Sequence, residues 1–143
     1  MIQKETILQV ADNSGAKTAT CIKILNGGSK KVAGIGDCIL VSIRSLRTGK
    51  GFSQESETNK SSKGAIKKGQ IYKALIIRTK KGISNRIYGH SVSFDTNDII
   101  LLTGTNAAGN LQNLMGTRLM GPITRELRMK NYNKVISQAK GLL

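Results

Sequence analysis

The chain has 143 residues, with 23 Lys and Arg against 8 Asp and Glu, a formal charge of +15 and a sequence pI near 10.2. That length allows one compact domain and excludes two comfortable ones. So large an excess of one sign repels itself in a small fold. It therefore points to a polyanionic partner, nucleic acid ahead of an anionic membrane surface.

Hydrophobic residues make up 38% and aromatics only 3%, so the expected core is aliphatic. No run approaches the roughly 20 apolar residues of a spanning helix, and membrane insertion is not expected. The opening "MIQKETILQVADNSG" lacks the basic region and long apolar stretch of a secretory signal. It enters a strand pattern at once, so no transit peptide is expected in the chain as given. Cys21, Cys38 and His90 are the only residues of their kinds, and no CxxC pair is present. A zinc site and a disulfide framework are both disfavoured, and the two thiols are expected as reduced core residues.

The elements follow in order. Thr6–Ala11 alternates, with Leu8 and Val10 on one face and Ile7 and Gln9 on the other. "DNSG" at 12–15 reads as a turn in which Gly15 is free to take positive φ. "KTATCIKIL" alternates again, with Ala19, Cys21 and Lys23 opposite Thr20, Ile22 and Ile24. After the loop "NGGSKK", a Gly36-Asp37 turn leads into a β-branched strand through Ile39, Val41 and Ile43. From 46 to 65 the composition turns to Gly, Ser, Thr, Lys and Glu, which predicts a long loop. Ile71 to Arg78 is a strong strand. "KKGISNRIYGHSVSF" suggests a hairpin turning near Tyr88-Gly89, "DIILLT" (98–103) a buried strand, and 104–116 a second polar loop. Beyond Pro122 the period becomes helical through Leu127, Tyr132, Val135 and Ile136, with Thr124 a candidate N-cap. The pattern predicts a mainly β fold, a small closed barrel carrying short C-terminal helices and two expanded loops. The barrel is expected over about 1–121 and the helical region over about 122–143, in a single domain.

Catalysis has little to stand on. His90 in a hairpin turn is better read as a surface residue than a general base, and Asp12, Asp37, Asp95 and Asp98 sit in turn-like contexts. Asp95-x-x-Asp98 reads as capping rather than a carboxylate pair. "GIGDC" lacks the strand-to-helix context of a phosphate loop. No cofactor and no metal is expected, and an enzyme is disfavoured. The bases, by contrast, gather at strand ends and loops: Lys30-Lys31, Arg44, Arg47, Lys50, Lys67-Lys68, Lys80-Lys81 and Arg86. A second group, Arg118, Arg125, Arg128, Lys130 and Lys134, marks the C-terminal region. The scattered aromatics form no stacking face, so recognition is expected to rest on phosphates, 2′-hydroxyls and shape, as suits folded RNA. A free-standing basic nucleic-acid-binding protein or RNA chaperone is the alternative.

Several words in one order sharpen this. "VADNSGAK", "CIKIL", "AGIGDCILVSI", "KKGQIYKALIIRTKKG", "FDTNDIILL", "MGTRLMGPITRELR" and "NKVIS" together resemble the universal large-subunit ribosomal protein fourteen family, from Met1 to Ser137. The resemblance implies a five-stranded β-barrel with short C-terminal helices, bound to large-subunit ribosomal RNA. It further implies a place on the intersubunit face, with bridges to small-subunit RNA. A neighbouring large-subunit protein (protein nineteen in bacteria) and ribosome silencing factor are the implied protein partners. Carried over, the RNA-facing charge falls on Lys17, Lys23, Lys67, Lys68, Arg78, Lys80 and Lys81, joined by Lys30, Lys31, Arg44 and Arg86 from the charge pattern. Thr117, Arg118, Arg125, Arg128 and Ser137 fall at the protein or bridge contacts. The chain departs from the family pattern in the loops 46–65 and 104–116, which are longer and lack its prolines, and in the tail "SQAKGLL". Its Asn- and Lys-rich loops resemble those of a drifted organellar version. A mitochondrial ribosome is therefore expected, with the bacterial cytoplasm as the alternative.

Overall fold

The computed structural model describes residues 1–25, 31–47, 66–83, 91–103 and 113–143. Among the described residues there are six strands: β1 (Ile7–Val10), β2 (Ala16–Ile24), β3 (Cys38–Leu46), β4 (Ile71–Arg78), β5 (Asp98–Thr103) and β6 (Asn113–Leu114). Two short helices follow, α1 (Glu126–Met129) and α2 (Asn133–Gln138). Each strand pairs antiparallel with the next. The first then returns to pair in parallel with the fifth, Gln9 opposite Asp98 and Val10 opposite Ile99. That pairing closes a five-stranded barrel. The β6 strand takes up β5 further along, at Leu102 and Thr103.

Side-chain alternation sets the inside. Leu8 and Val10 point in while Ile7 and Gln9 point out, as the sequence predicts. Small Ala19 on β2 stands opposite Ile43 on β3, and both are buried. The expected phase of β2 fails at its end. The ladder slips between Cys21 and Lys23, so Lys23 turns outward and Ile24 packs against the core. β4 and β5 are nearly continuous apolar runs, buried through Ala74–Ile77 and Ile99–Leu102. Leu119, Ile123, Leu127 and Val135 of the C-terminal region join the same core.

A gap remains on β5 between β1 and β6, and one side chain fills it. Asp12, the second residue after β1, accepts the buried Leu101 N–H on Oδ2 at 2.8 Å. Its Oδ1 accepts the Ser14 N–H at 2.9 Å and the Ser14 hydroxyl as well. The seam is thus completed by a carboxylate where backbone pairing lapses. The turn it shapes needs glycine at 15, where φ is +98°.

The two C-terminal helices are short, as the sequence pattern predicts. Asn131 takes φ +61°, which ends α1 after a single turn, and asparagine tolerates that geometry better than most residues. Thr124 does not act as the N-cap. Arg125 holds that position, while Thr124 is fully buried with its hydroxyl unpartnered among the described residues. The chain end folds back in parallel, Ile123 N–H to Gly141 O at 3.0 Å and Leu143 N–H to Ile123 O at 2.9 Å. Both thiols are free, Cys21 buried and Cys38 half-buried. Among the described residues no helix is long and apolar enough to cross a membrane.

Candidate nucleic-acid interface

Irregularities in the ladder bring two of the expected bases outward. Between the pairs Ala16–Leu46 and Thr18–Ser45, Lys17 is an extra residue on β2. Between Thr18–Ser45 and Ala19–Ile43, Arg44 is an extra residue on β3. A residue left over at a bulge is unpaired and re-aimed, and both of these are exposed. The Lys67-Lys68 turn is bound to the same corner. Gly69 N–H donates to Ile43 O at 2.8 Å, and Ile43 N–H donates back to Gln70 O at 3.0 Å. Lys67 N–H also donates to Gln70 Oε1 at 2.9 Å. Lys17, Arg44, Lys67 and Lys68 therefore share one rim of the barrel.

The second doublet caps the other end of β4. Lys80 N–H donates to Asn97 Oδ1 at 2.8 Å, and the buried Thr79 hydroxyl donates to Lys81 O at 2.9 Å. In both doublets the backbone is pinned while the lysine side chains are exposed. Lys23 and Lys31 are exposed too. Lys30 and Arg86 lie outside the described residues, as do Lys50, His90 and the expected Tyr88-Gly89 turn. Residues 48–65 and 104–112 of the two expanded loops are likewise outside them.

Arg78 departs from the expected role. It is only 9% exposed, and its Nε lies 2.7 Å from Asp98 Oδ2. Nη2 donates to Met120 O at 2.6 Å and Nη1 to Pro122 O at 3.2 Å. The guanidinium also stands over the Phe94 ring, 6.0 Å from its centroid, and lies directly against Gly121. Its fork ties β4, β5 and the 120–122 segment together, so the charge is spent inside the protein. The register carries the missed signal, because Arg78 and Asp98 stand opposite each other at matched ends of two apolar strands.

A second acid behaves similarly. Asp37 is buried, accepts the Gly34 N–H at 2.9 Å and pairs with Lys130 Nζ at 3.1 Å. Lys130 Nζ also donates to Ile35 O at 2.9 Å, and the Tyr132 hydroxyl to Gly36 O at 3.2 Å. Both residues dock the helical region on the turn before β3. Burial, with Cys38 and Asp37 nearby, pushes the Tyr132 hydroxyl up to about 12. Burial likewise raises the Cys38 thiol, so it is no activated nucleophile. Among the described residues, no three His, Cys, Asp or Glu gather as a metal site.

Two of the quoted words meet in space. Asn13 of "DNSG" accepts the backbone N–H groups of Thr117 and Arg118 on Oδ1, at 2.8 and 3.1 Å. Its Nδ2 donates to Thr117 Oγ1 at 3.0 Å. Gly116 lies so close that a Cβ there would stand 2.7 Å from Asp12 Cβ. The 12–13 corner thereby presents Thr117 and Arg118 outward. Arg125, Arg128 and Ser137 are also exposed, and the Ser137 hydroxyl donates to Lys134 O at 2.9 Å.

A closed barrel with pinned basic corners occurs in many nucleic-acid binders and does not by itself name one. The family comparison decides the matter: the model for ribosomal protein L14p/L23e matches residues 1–143. The chain belongs to that family. It is accordingly a structural constituent of the large ribosomal subunit, a ribosomal-RNA-binding protein of the translation machinery. The L14p/L23e family is structural rather than catalytic, and its members are ribosome-associated.

Proposed function

We propose that this L14p/L23e chain grips folded ribosomal RNA through Lys17, Lys23, Lys31, Arg44, Lys67, Lys68, Lys80 and Lys81. One observation carries the reading: the two doublets are held out to solvent while three of the acids are turned inward. Asp12, Asp37 and Asp98 are buried, while the two lysine doublets stand exposed on pinned turns. Phosphates meet these lysines at corners that lose little backbone freedom on binding, and Glu5 and Asp95 are the exposed acids among the described residues.

Thr117, Arg118, Arg125, Arg128 and Ser137 form the outward contacts of the subunit-joining side in this reading. Small-subunit RNA, a protein-nineteen-type neighbour and ribosome silencing factor are their partners. The rigid Asn13 mount under Thr117 and Arg118 supports a docking role for that corner. The departures in the loops 46–65 and 104–116 support a mitochondrial ribosome, the bacterial cytoplasm being the alternative.

Sedimentation of a native extract tests the whole. At low magnesium and after a high-salt wash, one copy of the chain should track the large subunit. A pool released by salt and spread over other nucleic acid would instead establish a free-standing binder. Fractionation of the source cells before sedimentation assigns the compartment.

A further inference from the structure

Between its basic ends, the outer face of β2 and β3 carries a row of small hydroxyls, with exposed Ile22 and half-exposed Leu40 only at the Lys23 end. Thr20 stands opposite Ser42 and Thr18 opposite Ser45, each pair on adjacent strands. These four side chains are half-exposed, and the Thr18 and Ser45 hydroxyls bond to each other. Gln9 on β1 extends the polar strip beside Thr18. Leu8, Ala19 and Ile43, one step along each strand, are buried, which fixes the hydroxyls on the outer face. Exposed Ile7 and Ile71 flank the row of Thr20 and Ser42, on β1 and β4.

The strip ends in positive charge both ways. At one end are Lys17 and Arg44 with the Lys67-Lys68 turn. At the other, the slip after Cys21 turns Lys23 outward, across Leu40 from half-exposed Lys73. Along β2, Lys17 and Lys23 are about 20 Å apart at the usual strand rise. A smooth strip of small hydroxyls with cations only at its ends suits two phosphate ridges with a shallow floor between them. The minor groove of an A-form helix has that form, its floor lined by 2′-hydroxyls that both donate and accept. A B-form minor groove is narrow and offers no such group.

We infer that the outer β2–β3 face is a reader of double-stranded RNA, with Thr18, Thr20 and Ser42 contacting minor-groove 2′-hydroxyls and the end lysines straddling the phosphates. This deepens the RNA-binding reading and rests on it. The occupant is a paired RNA segment rather than a single strand, since the exposed large apolar side chains around the strip, Ile7, Ile22 and Ile71, are aliphatic, and the nearby Tyr72 ring packs against the core instead of lying open to stack a base.

The purified chain would be titrated with three duplexes of one sequence: RNA, DNA, and RNA with 2′-fluoro sugars. The fluoro duplex keeps the A form and loses the hydroxyl donor. RNA should bind about tenfold tighter than the fluoro duplex, the effect of losing one or two net hydrogen bonds. In a Thr18→Val, Thr20→Val, Ser42→Ala variant that preference should vanish while the salt slope stays. Valine suits a strand, so the barrel should hold, and Thr20→Val alone serves if the triple variant melts early. Equal binding of RNA and fluoro duplex by the parent, with a steep salt slope, overturns the hydroxyl reading alone. A variant that keeps the preference does the same. A parent that binds no duplex and no folded RNA overturns the RNA-binding reading beneath it.

Discussion

Single residues decide which charges are for the partner and which are for the fold. Arg78 and Lys80 are two positions apart and equally cationic, yet only Lys80 is exposed. Arg78→Lys should destabilise the protein by about 2–4 kcal/mol in a denaturant melt, because a lysine cannot serve Asp98 and two carbonyls at once. Its salt slope for RNA should stay unchanged, whereas an altered slope with an unmoved melt would return Arg78 to the RNA surface. Tyr132 offers a pH test. Its hydroxyl titrates near 10 in an unfolded chain and at about 12 in the fold, so the fold favours the protonated form. Its contribution is full below pH 10 and disappears as pH rises through 12. Tyr132→Phe should cost about 1 kcal/mol near neutrality and show a shallower stability loss over that alkaline window than the parent. Parallel pH curves would show that the hydroxyl is not held in this way. Gly15 was legible from "DNSG" alone, since only a turn residue with positive φ suits that word. Arg78 was not, because its partner lies on another strand and periodicity carries no information about register.

At the scale of elements, the strands were readable where their faces differ and obscure where the ladder slips. Ile71–Arg78 and Asp98–Thr103 are apolar runs bounded by polar loops, and their limits follow directly. The short β6 inside a polar stretch has only two residues and no pattern to announce it. The helical period past Pro122 is real, but Asn131 divides it, and a left-handed residue leaves no mark on spacing. The most consequential element boundary is the seam on β5, where β1 leaves and β6 has yet to begin. Asp12→Ala would strand the buried Leu101 N–H and should cost about 1–3 kcal/mol. Asp12→Asn keeps an acceptor and should cost less. Hydrogen exchange at Leu101 reads this directly, since that amide should lose protection in the alanine variant and largely keep it in the asparagine one. Unchanged protection in both would mean the seam is closed by other means.

For the whole molecule, composition shows only the net charge, and folding decides where each sign goes. With Asp12, Asp37 and Asp98 inside, the exterior is more one-sided than the sequence total suggests. The class of partner was therefore legible, and the two doublets that the sequence singles out are exposed in the fold. The roles of Lys17 and Arg44 as bulge residues were not legible, since bulges arise from pairing. Replacing Lys67, Lys68, Lys80 and Lys81 by Ala should flatten the salt slope of RNA binding by about 3, at 0.7–0.9 per phosphate, while the thermal melt barely moves. An unaltered slope would remove the doublets from the interface. The parallel pairing of Gln9 with Asp98 has a consequence in time. During synthesis β1 emerges first and its closing partner late, so β1 and β4 remain bare edges until β5 arrives. A nascent chain arrested short of Asp98 should be cut readily by protease, and one extended past Leu142 should resist. The barrel is a ring whose clasp is made almost last, and until then its maker holds an open sheet.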